Sequence, residues 1–113
     1  MPKFLVQGSL SKEGITGVMA DGGSRRHLVV KQAVESMDGT LEAFYFAFGH
    51  TDVVALVDLP TNTAAAALAM AISSTGAVSS LTTTPLLTAE EVDGAVKMSP
   101  DYTPPGDTKP SGR

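Results

Sequence analysis

The chain has 113 residues, 42% hydrophobic and 18% charged, with no cysteine and a formal charge of −4. The length fits one domain with a modest core. The lack of thiols excludes disulfides, thiol nucleophiles and thiolate metal sites, and the acidic balance argues against nonspecific nucleic-acid binding and against an anionic membrane.

Phe4 to Leu10 reads as a first strand. Ser11 to Ser24 reads as a long connection holding Gly14, Gly17, Gly22 and Gly23, with a short helical turn around Ile15, Val18 and Met19. The first main helix is expected after Ser24, an N-cap type, with Val30, Ala33, Val34 and Met37 at helical spacing. Gly39 suits a left-handed C-terminal cap. Leu41 to Phe48 is the second strand, Gly49-His50-Thr51 a tight turn, and Asp52 to Val57 the third strand. Thr61 or Thr63 caps a second helix of Ala64 to Ser74, whose stripe is Ala65, Leu68, Ala69 and Ile72, and Gly76 ends it. Ala77 to Thr84 is a fourth strand, rich in serine and threonine. Thr88 with Glu91 forms a capping box that opens a short last helix bearing Ala89, Val92 and Val96. Residues 1–98 thus form one domain. Residues 99–113, with Pro100, Pro104, Pro105 and Pro110, read as a disordered or loosely docked tail. No segment approaches the roughly 20 apolar residues of a membrane helix. Met1 to Val6 turns polar too quickly for a signal-peptide core, so a cytoplasmic protein is expected.

The order β-α-β-β-α-β plus a terminal helix predicts an α+β fold. It is the ferredoxin-like split βαβ arrangement, a four-stranded antiparallel sheet with both main helices on one face. Strands two and three carry apolar residues on both sides. By alternation Phe44, Phe46 and Phe48 share one face and Leu41, Ala43, Tyr45 and Ala47 the other, while Val53 to Val57 has no polar face. No side chain between Asp58 and Glu90 is charged. Too few helices exist to cover both faces, so the open face is expected to meet a second copy in a homodimer, together with some of the charge-free surface.

The run Phe44-Tyr45-Phe46-Ala47-Phe48-Gly49-His50-Thr51-Asp52-Val53-Val54-Ala55-Leu56-Val57 resembles the GYD domain family at its strand two to strand three turn. Glu13-Gly14-Ile15, the alanine-rich stretch Ala64 to Met70, and Gly76 with Val78 fit as well, so the likeness spans roughly Pro2 to Glu91. The signature tyrosine is replaced by Thr51, with Gly49 and Asp52 in place; any chemistry of that tyrosine is missing here. The resemblance implies a ferredoxin-like fold of the dimeric α/β-barrel type, with sheets packed face to face, and no particular activity.

This topology gathers Arg25, Arg26, His27, His50, Thr51, Asp52 and Ser73 to Thr75 at one edge of the sheet. Arg25 and Arg26 at a helix N-terminus oppose the helix dipole, and a bound anion relieves that conflict; the plain alternative is a solvated loop. His27 suits either a half-buried histidine bonded to a carbonyl or a general base. His50 and Thr51 suit an exposed turn or a ligand contact. Asp52 caps turn N–H groups or orients a histidine. Two histidines and one carboxylate on three elements match no metal-ligand spacing, so no metal and no cofactor is expected. Tyr45 reads as sheet packing, and Met19, Met37 and Met70 as core filler. Two functions fit. One is a homo-oligomeric interaction or small-ligand-binding module, with Arg25, Arg26, His50 and Thr51 around a small anionic metabolite. The alternative is a cofactor-free isomerase or monooxygenase with His27 as base, Asp52 as its orienter, and a site between sheet and helices; that analogy is at the level of fold.

Overall fold

The computed structural model describes residues 1–107. Its elements in chain order are β1 (Lys3–Leu10), α1 (Lys12–Asp21), α2 (Gly23–Ser36), β2 (Thr40–Phe46), β3 (Val53–Asp58), α3 (Asn62–Ser74), β4 (Val78–Leu86) and α4 (Ala89–Val96). The strands form one open antiparallel sheet in the order β2-β3-β1-β4. The chain is therefore α+β, with four strands and four helices among the described residues. The expected tail lies partly outside the described residues; its described part, 99–107, holds neither helix nor strand.

Register fixes which side chains share a face. Phe4 stands opposite Val57, Val6 opposite Ala55 and Gly8 opposite Val53. Phe44 stands opposite Ala55 and Phe46 opposite Val53. These residues line one face. Leu5, Gln7, Val54, Leu56 and Tyr45 alternate onto the other, and none of them belongs to the buried core. Simple alternation fails at the start of β2. A bulge between Leu41 and Ala43 sets Leu41 opposite Val57, so Leu41 packs against the core instead of sharing a face with Ala43 and Tyr45; an extra residue in one strand reverses the parity beyond it. Phe48 lies past the end of β2 and is 94% exposed.

The stretch expected to be a connection is a ten-residue helix, α1. Ser11 starts it. Its Oγ accepts from the Gly14 N–H (3.1 Å) and donates to the Gly76 carbonyl (2.6 Å), and its N–H donates to the Ala77 carbonyl (2.9 Å). Gly14 weakens helix propensity, but any side chain there would collide with the Ala77 backbone. Its absent Cβ lets α1 lie against the α3–β4 loop. α2 begins two residues earlier than expected, with Gly22 (φ 84°) as a cap that has no side chain. At its other end the left-handed residue is Asp38 (φ 61°), not Gly39; Gly39 is needed because a Cβ there would strike the Asp58 carbonyl and Leu59. Thr61 caps α3 through the Ala64 N–H (3.0 Å), and Gly76 (φ 79°) ends it as expected.

The core is Phe4, Val34, Ala55, Val57, Leu59, Ala64, Ala65 and Leu68, with Val6, Val30, Ala33, Met37, Leu41, Phe44 and Ile72 packed around it. Residues of α2, α3, β1 and β3 thus share one cluster. Met37 joins it, but Met19 and Met70 are exposed and fill nothing. On the other face, Lys3 pairs with Glu42 and with Asp58, the latter at 2.9 Å. Asp58 sits below the usual carboxylate range because its hydrogen-bonded neighbours Glu42 and Lys3 favour its charged form, and the same carboxylates, Glu42 first, hold Lys3 above its ordinary value.

Two outcomes are expected. Gly14→Ala lowers stability by about 1–3 kcal/mol, the usual cost of overpacking, as a lower urea midpoint with unchanged slope. The lowered pKa of Asp58 means that its contribution is present above its unfolded value of 3.8 and is lost as pH falls through the folded value. Asp58→Asn is therefore less stable than the parent chain near neutral pH, and the gap narrows in urea titrations run at successively lower pH below 3.8.

Candidate ligand-binding site

Along one face of β1 the packing changes from dense to hollow. Phe4 is 2% exposed and seated in the core. Beyond it, Val6, Gly8 and Leu10 border a cavity of about 280 Å³. Phe44 and Phe46 of β2, Val53 and Ala55 of β3, and Val78 and Leu81 of β4 continue its sheet wall. The facing wall comes from Val18 of α1, Val29, Val30 and Ala33 of α2, and Leu68, Ala71 and Ile72 of α3. An engineered apolar cavity of about 150 Å³ holds benzene, so this one has room for roughly ten non-hydrogen atoms.

Small side chains make the space. Gly8, Ala33, Ala55, Ala71 and Ala77 all lie on its wall, where larger residues would meet across the gap as Phe4, Val34 and Leu59 do at the other end. A glycine inside a strand often marks a close approach of ligand or backbone, and that signal was present at Gly8. The alanines of α3 read in the sequence as a packed helix; Ala64 and Ala65 are indeed buried, but Ala71 serves the cavity.

Among the described residues Arg26 is the only charged one on the lining. Its Nε is buried, with no hydrogen-bond partner among the described residues. An unpaired donor in an apolar wall costs free energy that a carboxylate could recover. Arg26 also stands in the first turn of α2, which carries no acidic residue, so the free N–H groups of that turn add positive potential. Gly23 sets this turn in place, because a Cβ there would lie 3.1 Å from the Phe46 ring.

The other expected site residues lie elsewhere. Arg25 is exposed and off the lining. His27 is exposed, off the lining, and stacks on Phe44, with ring centroids 5.2 Å apart and planes 13° off parallel. The Asp52 carboxylate accepts from the Leu10 N–H at 2.8 Å while its own N–H donates to the Gly8 carbonyl, so it fastens the β2–β3 turn to the end of β1. His50 lies in the exposed turn, where its carbonyl accepts from Ser9 Oγ at 3.5 Å, and the Thr51 carbonyl accepts from the Gly49 N–H. Of the expected edge cluster, the cavity wall takes Arg26 and Thr75. Among the described residues no group of three or more histidine, aspartate or glutamate side chains is placed to hold a metal ion.

The family model of the GYD domain matches residues 4–96, which takes in every element from β1 to α4. The chain belongs to the GYD domain family. No curated protein and no solved structure gives a match. In this GYD domain the turn Gly49 to Asp52 serves as a clasp onto the end of β1, and Thr51 lies off the cavity.

Arg26→Met keeps the length of the side chain and removes the unpaired donor. It is expected to raise the stability of the ligand-free protein by about 1 kcal/mol, measured as a higher urea midpoint.

Proposed function

We propose that this GYD domain protein is a homo-oligomeric small-ligand-binding module, located in the cytoplasm, whose ligand is a compact apolar molecule ending in a carboxylate or similar anion. The observation that carries this reading is the buried, unpartnered Arg26 Nε on an otherwise apolar cavity. Apolar walls with one placed charge are the usual composition of small-molecule sites. The ligand body replaces void with dispersion contacts, and its head satisfies the guanidinium and the first turn of α2.

The fold under this reading is the ferredoxin-like split βαβ, with both main helices on the Phe4 and Phe44 face. The strand order and the shared core of α2 and α3 residues support it. The face bearing Leu5, Val54, Leu56 and Tyr45 is then free of helices and forms the homodimer seam. Side chains there are half-buried or exposed in the single chain, and apolar faces of this size mark contact surfaces. No helix among the described residues is long and apolar enough to cross a membrane. The isomerase or monooxygenase alternative draws no support from the cavity, whose wall includes neither His27 nor Asp52.

Calorimetric titration tests the proposal. Octanoate, which has about ten non-hydrogen atoms, is expected to bind in the micromolar range and at least about tenfold more tightly than 1-octanol, the increment of one charge-assisted hydrogen bond. Arg26→Met abolishes that preference. Equal affinity for acid and alcohol, or no binding of either, overturns the assignment of Arg26 as an anion anchor.

A further inference from the structure

The chain leaves the sheet at Leu86 and continues as an arm. All eight residues of α4 are exposed. The exposed apolar side chains along the arm are Leu87, Val92, Val96, Met98 and Tyr102, from 45% exposed at Val92 to 77% at Val96. Val92 and Val96, four residues apart, share one side of the helix, with Glu90, Glu91 and Asp93 among its polar residues. The helix start is well specified: Thr88 Oγ accepts from the Glu91 N–H at 3.1 Å, and Glu91 Oε1 accepts from the Thr88 N–H at 2.8 Å. Yet a helix of eight residues is marginal in water without a surface to pack on. The molecule is elongated. Its radius of gyration is 18.5 Å and its long axis 62 Å, against about 13 Å for the radius of a compact domain of this length.

We propose that this arm, Leu87 to Tyr102, docks on a second copy of the chain, reciprocally, so that two arms clasp a dimer. The inference rests on the sheet face being the dimer seam. Area favours it. Four strands about 4.8 Å apart and about 20 Å long present a plane on the order of 400 Å². Two such faces fall short of the roughly 1,200–2,000 Å² of a stable interface. Ten aliphatic and aromatic side chains from two arms, at roughly 60–120 Å² each or more, supply the remainder. A twofold axis gives each arm the same partner surface and closes the assembly, leaving no exposed arm to recruit further copies. The alternative occupant, the arm's own subunit, would bury α4, whose residues are all exposed in the single chain.

The test uses the full chain. Wild type is expected to be a dimer by light scattering at about 50 μM, within the affinity range of standard interfaces. The double variant Val92→Asp, Val96→Asp is expected to keep its circular dichroism, because both positions are exposed in the single chain, and to weaken dimerisation by about 100-fold or more. Tyr45→Asp probes the sheet seam separately from a position that is also exposed. A dimer split by Tyr45→Asp but unchanged by the arm substitutions overturns the arm and leaves the seam standing. A monomeric wild type overturns both. An arm variant that lowers the melting temperature of dilute, monomeric protein places the arm on its own subunit and overturns the proposal.

Discussion

Burial of Phe4 against its cross-strand partner Val57, within the cluster that includes Val34, Leu59 and Leu68, is the contact on which the rest of the domain depends. It joins the sheet to α2 and α3 at one end. Full burial of side chains of this size is worth roughly 1.5–3 kcal/mol each, enough to hold the layers together without help from the opposite end. That opposite end is therefore free to stay hollow. The same β1 strand carries both regimes, with Phe4 in the filled part and Gly8 in the empty one, separated by only Val6 on that face.

Polar groups follow the same division. Among the described residues no polar side chain is buried in the core, so the Nε of Arg26 is an exception that the fold alone does not require. The turn between β2 and β3, by contrast, is fully occupied with structural work: Asp52 satisfies the Leu10 N–H and leaves its carboxylate less able to orient anything else. A family signature can mark a clasp as readily as a reactive group, and in this member its geometry is that of a clasp.

Much of this was legible from residue order. The four strands, the antiparallel sheet, the α2 stripe, the Thr61 cap and the Thr88 capping box follow from periodicity and cap chemistry. The misses have identifiable causes. α1 was hidden because Gly14 and Gly17 depress helix propensity, and the reason for Gly14, a close pass by Ala77, lies 63 residues downstream in the numbering. Alternation places Leu41 on the wrong face because it carries no mark of a bulge. The left-handed residue after α2 was expected at Gly39, yet Asp38 takes it, since the glycine is required for a steric reason instead. The cavity was the least legible feature. It depends on which small residues face one another across layers, and a list of alanines does not distinguish a tight contact from a gap. Helix position singles out Arg26 together with Arg25, and the shared sheet edge adds His50 and Thr51, so the sequence alone does not separate Arg26 from these three.

Ser11 has a consequence for what the hollow can admit. Through one hydroxyl and one amide it moors the start of α1 to Gly76 and Ala77, directly beside the cavity wall that Val18, Thr75 and Ala77 help to form. A guest too bulky for the resting volume must displace that wall, and the first bonds stretched are those two tethers, not the dense Phe4 cluster. The upper size of a tolerated guest is thus set by the strength of a rope at the doorway rather than by the thickness of the room's walls.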